Sequence, residues 1–154
     1  MSDPVNMVQL VTDLPSRSRG RACVVLTHEY NGQKEWAAEL ARQTDSKHLD
    51  LLDLFTQDKA LGDRIGKFLV PDLFNFLKAF NQKPVLIISG MEFLKATWTG
   101  HSNVIEQFAS RVETWNQMPC MLFVLQFDKT IAVREFQRFR QYTFVVDQKE
   151  TLAL

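Results

Sequence analysis

The chain has 154 residues, 45% of them apolar and 23% charged, with 18 basic and 18 acidic side chains and a formal net charge of zero. That length suits one domain able to bury a core without a disulfide or a metal, and zero net charge excludes a global field that would draw nucleic acid or anionic lipid to the whole surface. Apolar runs fall far short of the ~20 residues of a membrane span, and Met1 to Gly20 carries acids and lacks the apolar centre of a signal peptide, so a cytoplasmic protein with no membrane contact and reduced thiols at Cys23 and Cys120 is expected.

Ser2-Asp3-Pro4 reads as a helix start, a capping side chain with proline at the first helical position. Met7, Val8, Leu10, Val11 and Leu14 give that helix its apolar face, and Pro15 ends it. Ser16 to Arg21 is a basic loop in which Arg17, Arg19 and Arg21 mark either a solvated connection or a small anion or nucleic-acid patch. Ala22 to Leu26 predicts a first strand, followed by a polar loop and a helix to about Gln43. Lys47 to Leu52 predicts a second, short strand. Asp58 to Asn81 predicts a broken pair of helices, with Pro71 opening the second.

Val85 to Ile88 is a continuous apolar run, as in a strand buried on both faces, and Ser89-Gly90 ends it. Met91 to Thr99 reads as a short helix or a packed loop, with Trp98 either an interface anchor or buried. Ser102 or Asn103 caps the next helix, with Glu106 at capping-box spacing from Asn103 and Val104, Ile105, Phe108, Val112 and Trp115 facing inward. Cys120 to Leu125 predicts the fourth strand, closed by Gln126, Phe127 and Asp128. A helix over Ile131–Gln141 shows Arg134 and Arg138 on one side, Tyr142 to Val146 predicts a fifth strand, and residues from Asp147 read as a frayed polar tail.

Strands alternating with helices predict a three-layer α/β/α fold on a five-stranded parallel sheet, preceded by an N-terminal helix. Residues 1–154 form one domain in this reading, with 1–20 its N-terminal helix and basic loop and 147–154 its tail. Ligands of such sheets sit beyond the carboxyl ends of the strands, here His28 to Lys34, Ser89 to Glu92 and Gln126 to Asp128. The stretch Ala22–Glu35 has the strand–loop–helix frame of a phosphate-binding loop but not its G-x-x-x-x-G-K-S/T chemistry. With Gly32 as the second glycine, Thr27 replaces the first, Gln33 the lysine and Lys34 the hydroxyl residue; with Lys34 as the lysine, His28, Gln33 and Glu35 fill the other places.

In its five strands and the polar residue closing the fourth, the chain resembles the RecA/AAA-type branch of the P-loop NTPases. More narrowly, its size and layout are similar to the small P-loop-type component of BREX phage-exclusion operons. The resemblance implies that strands one and four are neighbours, which would bring Cys23 and Cys120 together. It also implies ATP with magnesium as the ligand, an acid at the end of strand three and a polar sensor at the end of strand four. Gln126 fills the sensor slot, and Glu92 fills the acid slot only if it bends back past Ser89-Gly90. Gly32, Gln33 and Lys34 are the residues that would meet a phosphate, with Glu29 and Glu35 repelling it.

The expectation is therefore a subunit with an eroded nucleotide site and no cofactor, working by protein–protein interaction in a larger complex of phage defence or genome maintenance. The alternative is an ATPase with an atypical loop. Arg17, Arg19, Arg21, Arg134 and Arg138 are the interaction candidates; Arg134, Arg138 and Arg140 either reach a phosphate on a neighbouring chain, as arginine fingers do in ring ATPases, or pair with Glu135 and solvent. His28, His48 and His101 match no zinc spacing, and His28 with Glu29 is an acid–base pair or an ordinary loop pair. Cys23, in an apolar strand, is a poor nucleophile.

Overall fold

A computed structural model describes residues 3–101 and 103–154, and in it the apolar runs become five strands of one sheet. β1 (Ala22–Thr27), β2 (Lys47–Asp50), β3 (Val85–Ser89), β4 (Cys120–Gln126) and β5 (Val145–Asp147) lie in the order β2-β3-β4-β1-β5, every pairing parallel. β1 and β4 are neighbours, in register from Ala22 opposite Met121 to Thr27 opposite Gln126. α1 (Met7–Asp13) and α2 (Gln33–Thr44) cover one face. α3 (Leu51–Gln57), α4 (Lys59–Gly62), α5 (Val70–Lys78), α6 (Glu92–Thr97), α7 (Val104–Thr114) and α8 (Lys129–Val133) cover the other, giving the three-layer α/β/α fold.

The pleat divides the core between these layers. Cys23, Val25, Ile87, Leu122 and Val124 pack under α1 and α2, whereas Val24, Leu26, Ile88, Phe123 and Leu125 pack under the second layer. There Phe123 meets Phe74 and Phe108 at ring separations of 5.4 and 5.0 Å. Cys23 and Cys120 both lie in the first layer, fully buried and free. Burial pushes the Cys23 thiol up to about 12 and Cys120 up to about 11, so neither is a nucleophile near neutral pH.

Several boundaries move, each for a local reason. α1 is capped by Asn6, whose side chain accepts from Gln9 N at 3.0 Å. Pro4 stays outside the helix because the chain there runs extended: Val5 N donates to Glu150 O and Leu152 N donates to Val5 O. That bridge also corrects the frayed tail, since Asp147 ends β5, Gln148–Glu150 forms a 3-10 turn and Gln43 donates to Leu154 O. β2 stops at Asp50 because the Asp50 carboxylate accepts from Asp53 N at 3.0 Å and starts α3 early. Pro71 sits in the first turn of α5.

Met91 to Thr99 is largely helical, and Trp98 is buried with its indole N–H donating to Phe68 O. Asn103 makes no capping bond, because it takes a left-handed φ of 66° and Glu106 pairs with Arg134 instead. Ser2 and Ser102, expected at helix starts, lie outside the described residues. The helix expected over 131–141 closes at Val133, where Arg134 turns extended and Phe136 stacks on Phe144 at 5.1 Å. Phe123→Ala, which removes the ring between Phe74 and Phe108, is expected to cost about 3–5 kcal/mol, read as a lower urea midpoint at unchanged slope.

Candidate functional site

All five strands point their carboxyl ends at the same side of the molecule, where the Gln33 side chain links the end of β1 to the segment that follows β3. Gly32 takes a left-handed φ of 85° and starts α2, which places Gln33 in the first helical turn, directed inward and only 3% exposed. Its amide nitrogen donates to Thr27 Oγ1 (3.2 Å) and to Glu92 Oε1 (3.0 Å), and its carbonyl oxygen accepts from Gly90 N (3.2 Å). Thr27 in turn donates to Leu125 O, and Gln126 N donates to Glu92 Oε1 at 2.7 Å. Glu92 therefore does bend back to the strand ends, where its Oε2 is buried without a hydrogen-bond partner. Gln126 itself is exposed, next to Glu92 through its backbone only.

The turn before α2 puts Gly32 at the N-cap, Gln33 at the first helical position and Lys34 at the second. Lys34 points outward, exposed, and pairs with Asp53; that hydrogen bond holds its ammonium above the ordinary lysine value. Residues Asn31 to Gln33 divide two open hollows. One, of about 370 Å³, has His28, Glu29, Trp36 and Lys149 in its wall, and the other, of about 260 Å³, has Tyr30, Glu35, Asp50 and Asp53. Burial, then the carboxylates of Glu92, Asp50 and Asp53, push the Tyr30 phenol up, which reports a negative field on the β2 side of the loop. That field opposes a polyphosphate.

Two further arrangements were not legible as pairs. His48 Nε2 lies 2.8 Å from the buried Ser89 Oγ, which donates to Asp50 Oδ2 at 2.9 Å. With the serine hydroxyl proton directed at Asp50, His48 donates to the hydroxyl oxygen and is no base to it, so these bonds tie β2 to β3 and activate no nucleophile. Gly90 adjoins this chain at φ 71°, and a Cβ there would lie 2.6 Å from both Asp50 carboxylate oxygens. His28 is paired with Asp147, not Glu29, at 2.9 Å and stacks on Phe127 at 5.3 Å. Burial raises the Asp147 carboxyl, but the bonds from His28 and Lys149 N outweigh it and hold Asp147 below the ordinary aspartate value. The signal for this pair was the parallel β1–β5 register, which sets Leu26 opposite Asp147 and so brings His28 alongside it.

The arginines sit elsewhere: Arg17, Arg19 and Arg21 lead into the amino end of β1, and Arg134 follows α8 and lines a hollow with Leu26, Phe127 and Asp147. Arg17 donates to Gly20 O and Thr143 O, and Arg21 donates to Arg17 O. Arg134 pairs with Glu106 and with Glu113 rather than Glu135. Arg19 and Arg138 remain exposed and line one hollow. Among the described residues no group of three His, Cys, Asp or Glu side chains is placed to hold a metal ion, and no helix is long and apolar enough to cross a membrane. No family model matches the chain, and no curated protein matches it.

Gln33→Ala is expected to cost about 1–3 kcal/mol, because Gly90 N loses its partner in a buried place. Lys34→Ala is expected to leave the denaturation midpoint nearly unchanged, since its ion pair is exposed. Burial holds the His48 imidazole below its ordinary value. The unfolded chain therefore takes up that proton first, and stability drops as pH falls through the ordinary imidazole value of about 6.5 and below it. His48→Gln keeps a donor for Ser89 and should flatten that part of a plot of melting temperature against pH.

Proposed function

We propose that this protein is a non-catalytic subunit with a P-loop NTPase-like fold, in which the nucleotide site has become a structural joint. It works in the cytoplasm by contact with other protein subunits of a larger complex. The observation that carries the reading is the Gln33 amide. Where a phosphate-binding loop carries a lysine, this chain has a buried neutral side chain whose donors and acceptor are all engaged by Thr27, Glu92 and Gly90. Supporting it are the pairing of Lys34 with Asp53 and the acids Glu35, Asp50 and Asp53 around the hollow beside the loop. Resemblance to the small P-loop-type component of BREX operons makes a phage-defence complex the setting of this reading.

A second reading, an ATPase with an atypical loop, has one observation in its favour: Glu92 reaches the strand ends and keeps one carboxylate oxygen free of partners. Calorimetric titration with ATP and magnesium separates the two. The expected result is no saturable heat up to millimolar nucleotide. Saturable binding that Glu92→Gln removes would overturn the first reading in favour of the second.

A further inference from the structure

Two arginine-bearing segments far apart in sequence, 17–21 and 134–140, meet at the end of the sheet opposite Gln33 through Arg19 and Arg138, whereas Arg134 lies further along, beside Leu26 and Asp147. The junction is built. The Arg17 guanidinium donates to Thr143 O at 3.1 Å and lies 4.7 Å from the Tyr142 ring centre. Gly20, at φ 59°, lets the loop approach Phe144 so closely that a Cβ would sit 2.8 Å from its ring. Arg21 fixes the same turn through Arg17 O, and Arg134 is neutralised by Glu106 and Glu113.

These contacts use three of the six arginines for construction and leave three for something else. Arg19, Arg138 and Arg140 are exposed, and among the described residues none has a carboxylate within the 4.0 Å of an ion pair. Arg19 and Arg138 open into one hollow of about 240 Å³ with Thr114, Asn116 and the half-buried ring of Phe139. Guanidinium groups match phosphate oxygens two bonds at a time. The half-buried Phe139 ring in the wall of the same hollow suits an unstacked base, which a duplex does not offer.

We propose that this hollow binds single-stranded nucleic acid, with Arg19 and Arg138 on successive phosphates and Phe139 against a base. The zero net charge of the chain makes the site local, so a weak salt dependence is expected, from about two neutralised phosphates. The site shares no residue with the Gln33 joint, and its success or failure is independent of the nucleotide question.

The test is fluorescence anisotropy with a labelled oligothymidine of roughly 20 nucleotides, long enough to span one such groove. Wild type should bind at low salt with a log–log salt slope of about −1.4. Arg19→Glu with Arg138→Glu should weaken binding at least about tenfold. Phe139→Leu should lower affinity at unchanged slope. Arg19→Gln with Arg138→Gln, which adds no repulsion, should lose affinity in the same direction and stands in if the glutamate variant fails to melt cooperatively. No binding at low salt, or binding untouched by the glutamine pair, would overturn the proposal. So would polyglutamate competing as well as the oligonucleotide, which would make the site a dock for an acidic protein segment.

Discussion

The carboxyl side of the sheet depends on one buried amide. Gln33 has two N–H groups and a carbonyl, and the chain supplies a partner for each from three different places: Thr27 at the end of β1, Glu92 at the start of α6 and Gly90 after β3. Glu92 extends the link to β4 through Gln126 N. Neutral and fully partnered, the glutamine is a strut that ties the end of β1 to the segment that follows β3. Conformations that would free it leave buried polar groups unpaired, so the loop is held in the closed arrangement.

The zero net charge of the chain conceals local clusters of either sign. At the carboxyl ends of the strands, Glu35, Asp50 and Asp53 face the loop, with Lys34 already paired. At the amino ends, Arg19 and Arg138 share a hollow with the Phe139 ring in its wall. The end that carries the familiar loop frame therefore disfavours anions, and the end that carries no such frame attracts them. Arg17 and Arg21 belong to the second end as structure: their hydrogen bonds fasten the basic loop to the segment before β5 and hold Arg19 where it is.

The fold was legible because the core strands are uniform apolar runs, and runs such as Ala22–Leu26, Val85–Ile88 and Cys120–Leu125 are bounded by polar or breaking residues. What sequence spacing missed were ends decided by single side chains. Asp50 turned Leu51 and Leu52 into helix by capping it, and Asn103 failed to cap because its backbone is left-handed. The Val5–Thr151 bridge joins residues at the two ends of the chain, which no local pattern encodes. At the site, the strand-end segments were readable by position, whereas the return of Glu92 to the Gln126 amide was left open by the sequence. The partners of Gln33, Lys34 and His28 were not, because each pairing crosses strands that are distant in sequence and depends on register.

The central claim is that Gln33 is a closed joint. The most direct measurement follows the Gln33 side-chain amide and the Gly90 backbone amide by proton–nitrogen NMR while ATP and magnesium are added. The account predicts two signals that exchange slowly with solvent and stay in place throughout. Saturable shifts of both signals, or rapid exchange in the nucleotide-free protein, would contradict it.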